Sequence, residues 1–117
     1  MHIHAAMPVA AITGISNAGI SYRWFSQNGE NKHIGNIAWE TVKRVTVFKR
    51  DFFLYDLICL QIETDDDSFE FDEEDPKWVK LVTTLPNYLS ECMQWIDWFT
   101  KVSLPAFETN ELLIFKI

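Results

Sequence analysis

Seven carboxylates, Asp65, Asp66, Asp67, Asp72, Glu73, Glu74 and Asp75, gather at the two ends of one alternating run in which Phe69 and Phe71 point to one side and Ser68, Glu70 and Asp72 to the other. Carboxylates packed this densely could bind a hard cation such as Ca²⁺, which takes oxygen ligands, or could present an acidic surface to a basic protein. The EF-hand spacing fails when counted from Asp65 or from Asp67, because neither the central Gly nor the closing Glu falls in place. Turn formation and helix-start charge account for the residues as a set. They leave the fold with an acidic end, and Asp65, Asp66, Asp67, Asp72, Glu73 and Glu74 are the residues expected to meet a partner.

Other side chains with chemistry to offer are isolated. His2 and His4 share a strand face without a third ligand at matching spacing, and zinc needs three or four. His33 has no Cys or Ser nucleophile near it in sequence and reads as a surface residue. Cys59 and Cys92 lie in apolar segments, which favours buried free thiols in a reducing compartment. No G-x-S-x-G, P-loop, G-x-G-x-x-G or Cys-x-x-Cys motif occurs, so neither an enzyme nor a cofactor or metal is expected.

The aromatic side chains are more suggestive. Five Trp and nine Phe are many for 117 residues. Trp39 and Trp78 suit core and sheet-end packing. Trp95 and Trp98, three apart and flanked by Cys92 and Phe99, spread aromatic surface more than halfway round one helix, which is more than a single buried face needs. They are therefore expected at a partner-binding or homodimer surface. An alternative places a small-ligand or enzymatic pocket at the mouth of the sheet, lined by Tyr22, Trp24, Phe48 and Tyr55.

Charge narrows the partners. Ten Lys and Arg against 17 Asp and Glu give a net charge of −7, which opposes contact with nucleic acid or an anionic bilayer, both polyanions. A protein partner, basic in its most specific form, is the expectation. The N-terminal run MHIHAAMPVAAITGI carries no Lys or Arg and is broken by Pro8 and Gly14, a poor signal peptide. No apolar run approaches the length of a membrane-spanning helix, and a cytoplasmic location is expected.

These residues must be positioned by a sheet. One domain over residues 1–117 is expected, with 1–7 frayed and a first short strand from Val9 to Thr13 closed by Gly14. Gly19 to Phe25 alternates and runs into Asn28-Gly29, a hairpin turn signal, so Lys32 to Ala38 should return antiparallel. Ile34 and Ile37 fall in opposite phases, which predicts a bulge near Gly35. After a short turn at Trp39 to Val42, Lys43 to Arg50 alternates, with Val45 and Val47 facing the core and Arg44, Thr46, Phe48 and Arg50 forming an outer, basic, partly aromatic stripe. Asp51 to Leu54 turns the chain into Tyr55 to Glu63, apolar on both faces and so central.

Asp75-Pro76 predicts a helix start, Trp78, Leu81, Val82 and Leu85 supply its apolar stripe, and Pro86 should stop it. A second helical period in Cys92, Trp95, Ile96 and Phe99 should end at Pro105. The tail from Leu112 to Ile117 is strand-like and is expected to pair with an existing strand.

The order of these elements, with Trp39-Glu40-Thr41-Val42, Asp56-Leu57-Ile58-Cys59-Leu60 and Leu104-Pro105-Ala106-Phe107 followed by Asn110, resembles a small uncharacterised bacterial family with a pleckstrin-homology-like domain. The resemblance spans roughly residues 14 to 117 and its motifs are structural. It implies an α+β domain, a bent antiparallel sheet or partly open barrel of about seven strands packed by one or two C-terminal helices, and brings no catalytic residues with it. Only Arg23 and Lys32 flank the first hairpin turn, so the phosphoinositide binding of lipid-binding relatives is not expected. A non-catalytic protein-binding module, in its specific form an immunity-like neutraliser of a basic protein, is the resulting expectation.

Overall fold

The structure, a computed structural model, describes residues 9–25, 32–51, 54–104 and 110–117, with the side chains of Phe25 and Lys32 set aside. His2 and His4, the segment 1–7 expected to fray and the turn expected at Asn28-Gly29 lie outside the described residues, as do Phe52 and Phe53 of the turn expected from Asp51 to Leu54. Among the described residues seven strands form two antiparallel sheets. In the first, β1 (Ala11–Ser16), β2 (Gly19–Phe25) and β3 (Lys32–Ile37) lie in chain order. The second has the order β6-β5-β4-β7, from β4 (Arg44–Asp51), β5 (Asp56–Glu63), β6 (Ser68–Asp72) and β7 (Glu111–Lys116). Helices α1 (Trp78–Tyr88) and α2 (Trp95–Ser103) lie between β6 and β7 in the chain. Among the described residues the sheets do not close into a barrel, and no helix is long and apolar enough to cross a membrane.

One cluster of buried side chains draws on both sheets and both helices, including Ile20 and Ile37, Val45 and Val47, Leu60 and Ile62, Leu81 and Leu85, and Trp98 and Val102. The strand phases explain who contributes. On β2 and β3 one phase holds Ile20 opposite Ile37, Tyr22 opposite Gly35 and Trp24 opposite His33, and of these Ile20, Ile37, Tyr22 and Trp24 pack on the core. Ile34, in the other phase, is 72% exposed. The bulge expected at Gly35 is therefore absent: the β2–β3 register runs unbroken from Ile20↔Ile37 to Phe25↔Lys32, because Ile34 faces solvent and needs no correction of phase. The irregularity falls instead between Ile12 and Gly14 on β1, so Gly14 sits inside that strand and does not end it. At Gly19 the backbone takes φ +133°, and a Cβ there would run into the carbonyl of Ile37, a conformation for glycine alone.

The expectation of a solvent-facing stripe on β4 is overturned. Thr46 and Phe48 are buried, and Phe48 joins Leu57 and Cys59 in a second small cluster. Alternation puts that cluster on the face of the sheet opposite Val45 and Val47. Arg50 on this face donates to Glu70 at 2.7 Å and lies 5.1 Å from the Phe48 ring centre. Burial alone would lower the Arg50 pKa, but the bond to Glu70 and its charge raise it instead. On the core side Lys49 is only 2% exposed. Its ammonium donates to Ser103 O at 3.0 Å, at the end of α2, and lies 3.6 Å from Asp56 Oδ2. A cation at a helix C-terminus meets the negative end of the helix dipole.

Pro86 does not end α1, which continues to Tyr88. A proline inside a helix costs about 3 kcal/mol, whereas each large side chain taken fully from water returns about 1.5–3 kcal/mol. Trp78, Leu81, Val82 and Leu85 are all buried along this helix and Leu89 just beyond it, so packing outweighs the lost hydrogen bond. The helix starts at Trp78 and not at Pro76, with Lys77 in the N-cap position and no side-chain cap, and Asp75 acts ahead of it: Oδ1 accepts from Lys77 N and Oδ2 from Ile12 N, both at 2.8 Å. The carboxylate thereby ties α1 to β1. The tail pairs antiparallel with β4, as its apolar character predicts.

Candidate binding clefts

Two clefts lie on either side of the 3₁₀ turn Trp39–Thr41 and share Glu40. The first, of about 430 Å³, brings together Tyr22 of β2, Thr41 and Lys43 beside the 3₁₀ turn, the β5–β6 turn at Asp65, Asp66 and Asp67, and Phe69 of β6. The turn is held by Thr64, whose N–H donates to Asp67 O at 2.9 Å and whose Oγ1 accepts from Asp67 N at 3.0 Å. Its three carboxylates are thus free of the backbone and exposed. Tyr22 and Phe69 meet with ring centres 4.8 Å apart at 54° and form an aromatic wall. Burial, and then the charge of Asp67, raise the Tyr22 hydroxyl above its ordinary pKa, which keeps it a neutral hydrogen-bonding group. Among the described residues that line it are four carboxylates, from Glu40 and the three aspartates, and one ammonium, that of Lys43.

The acidic end expected from the sequence is divided. Asp72, the last residue of β6, and Glu73 and Glu74 just after it lie at the opposite end of that strand from Asp65 to Asp67, and the five steps of extended chain from Asp67 to Asp72 span about 16 Å. They also serve local structure: Asp72 Oδ1 accepts from Glu74 N at 2.9 Å, and Glu73 Oε1 accepts from Ile58 N at 2.9 Å. Only Asp65, Asp66 and Asp67 line the first cleft.

The pocket expected from Tyr22, Trp24, Phe48 and Tyr55 does not assemble. Tyr22 lines the first cleft, Trp24 stacks on His33 at 4.0 Å, Phe48 is buried in the second cluster, and Tyr55 is half-exposed ahead of β5. Strand alternation separates Phe48 from the core face that Tyr22 shares. Trp95 and Trp98 are likewise split. Trp98 is 0% exposed within the main core, and Trp95, 37% exposed, packs on Phe99 with ring centres 5.1 Å apart. A pair three apart on a helix is about 300° round its axis, close enough to share a stripe but far enough for one member to face inward.

The second cleft, of about 520 Å³, is walled by Trp39 and Tyr88, whose rings stack at 4.7 Å and 6°, with Glu40, Glu91 and Lys116 around it. Trp39 is fixed from behind, its indole Nε1–H donating to Ser16 O at 2.8 Å. Sequence reading gave Trp39 a sheet-end role and passed over Tyr88, because nothing in the spacing of residues 39 and 88 links them.

Nucleophilic chemistry finds no support at the thiols. Cys59 and Cys92 are buried and free. Burial pushes Cys59 up to about 12, with the charge of Glu70 adding to it, and Cys92 up to about 11, so both are protonated at neutral pH. Among the described residues no three His, Cys, Asp or Glu side chains are placed to hold a metal ion. Comparison of the chain with models of known families, with curated proteins and with solved structures finds no match in any of the three.

Proposed function

We propose that the domain is a non-catalytic binding module that takes a basic segment of a protein partner into the first cleft. The observation that carries the reading is the Tyr22–Phe69 wall in one cleft with Asp65, Asp66 and Asp67, where the described residues set four carboxylates against one ammonium, that of Lys43. An aromatic wall accepts the aliphatic stem and cationic head of Arg or Lys, and the carboxylates steer the approach of positive charge. Protonated thiols and the lack of a linear catalytic motif are consistent with binding as the task. The further reading of the two sheets as a partly open, pleckstrin-homology-like barrel is supported by the parallel bridge from Val9, just ahead of β1, to Glu70 on the β6 edge, which brings the sheets into backbone contact at one seam.

The test is calorimetric titration with an arginine-rich hexapeptide and with its glutamate-rich counterpart. Binding of the first alone, weakened by raised salt and reduced at least tenfold in the Asp65→Asn, Asp66→Asn, Asp67→Asn triple variant, is the expected result. Equal binding by the triple variant overturns the proposal.

A further inference from the structure

The second cleft combines four features that together define a ligand. Its wall is an aromatic stack in which Tyr88 stays 38% exposed while Trp39 is buried behind it, leaving a ring face open to a ligand. Tyr88 is also the last residue of α1, a helix with no basic residue in its final turn, so the negative end of the helix dipole at the cleft has no cation of its own helix to offset it. The rim holds two carboxylates, Glu40 and Glu91, against one ammonium, Lys116.

Fourth, Glu91 stands at φ +65°, the one non-glycine residue in the left-handed region among those described. Left-handed backbone strains a residue with a β-carbon, and glycine or asparagine would occupy the position at lower cost. The Glu91 side chain makes no hydrogen bond or ion pair among the described residues that would offset that strain. Its carboxylate is held at the cleft rim three residues beyond Tyr88.

We propose that this cleft binds an organic cation, an alkylammonium or guanidinium group, on the open face of Tyr88 between Glu40 and Glu91. The aromatic face attracts the cation through its quadrupole, most strongly for a weakly hydrated head group. The helix end and the two carboxylates add attraction of the same sign. A simple metal cation, strongly hydrated and without ring contact, gains less from such a wall. The site shares Glu40 with the Tyr22–Phe69 cleft, but Tyr88 and Glu91 line it alone of the two, and it does not depend on that cleft's role.

The experiment is titration of the ¹⁵N-labelled protein with tetramethylammonium chloride and with ethylguanidinium chloride, followed by amide and indole chemical shifts, with sodium chloride at equal ionic strength as reference. Saturable shifts at Tyr88, Glu91 and the Trp39 indole are expected with one or both organic cations and not with sodium. Whichever cation saturates identifies the head group. Glu91→Gln should weaken binding about threefold, in the range of one exposed charge contact. Glu91→Gly should weaken it equally while leaving the melting temperature unchanged or higher, because glycine relieves the left-handed strain. Tyr88→Leu should abolish saturation, and the Asp65→Asn, Asp66→Asn, Asp67→Asn variant should leave it intact. Shifts indistinguishable from those in sodium chloride, or unchanged affinity in the Glu91→Gln and Tyr88→Leu variants, overturn the proposal.

Discussion

Tyr22 faces Gly35 across the β2–β3 ladder, and its ring occupies the space that a β-carbon at residue 35 would need. An aromatic side chain laid over a cross-strand glycine covers backbone that would otherwise be bare and fixes the ring's direction. Here that direction sets the wall of the first cleft. Gly35→Ala should destabilise the domain by about 1–3 kcal/mol, the usual cost of overpacking, measured as a lower denaturant midpoint. Because the clash lies between these two residues, the same substitution should cost far less in a Tyr22→Ala background, and a double-mutant cycle reads the difference.

Lys49 gives a second prediction. Its buried ammonium bonds the end of α2 through Ser103 O and lies near Asp56. Removing one partner of a buried charge pair leaves the other without compensation, and Lys49→Ala should cost about 3 kcal/mol. Lys49→Met keeps the aliphatic stem in the core and should cost clearly less. Thermal denaturation of both variants checks the order.

Alkaline pH gives the third. The unfolded chain releases its thiol protons near 9, whereas the folded chain holds them to about 12 at Cys59 and about 11 at Cys92. Between those values the folded state binds more protons, so stability falls as pH rises. The contribution is complete below pH 9 and is lost progressively above it, and Tyr22, also raised, acts in the same direction. Denaturant midpoints at pH 8, 10 and 11 should decline, and the decline should be shallower in a Cys59→Ala, Cys92→Ala double variant.

Local periodicity made most of the elements legible. Alternation in Gly19 to Phe25, the run of Tyr55 to Glu63 that is apolar on both faces, and the helical stripe of Trp78, Leu81, Val82 and Leu85 appear in the structure as β2, β5 and α1. What periodicity could not convey is which faces are covered twice. Phe48 and Thr46 read as an outer stripe because Arg44 and Arg50 share their phase, yet both are buried. Pro86 misled because the penalty for a helical proline is local and the packing that overrides it is not. The clefts were hidden for the same reason: Tyr22 and Phe69, or Trp39 and Tyr88, meet only after the strands pair, and no spacing in the chain announces it. The acidic turn at Asp65 to Asp67 was visible, and its separation from Asp72 to Glu74 follows once β6 is known to lie between them.

The place of β7 in the sheet has a consequence for how the chain is made. β4 pairs on one side with β5, its neighbour in sequence, and on the other with β7, so the chain must run from Asp51 to Glu111 before that second edge is covered. During synthesis β4 therefore presents a row of unsatisfied backbone donors and acceptors beside Val45 and Val47 while both helices are still being added. An open apolar edge is a template for pairing with another chain. Emergence of β7 is the event that closes it, which makes that strand the step on which solubility of the nascent domain turns.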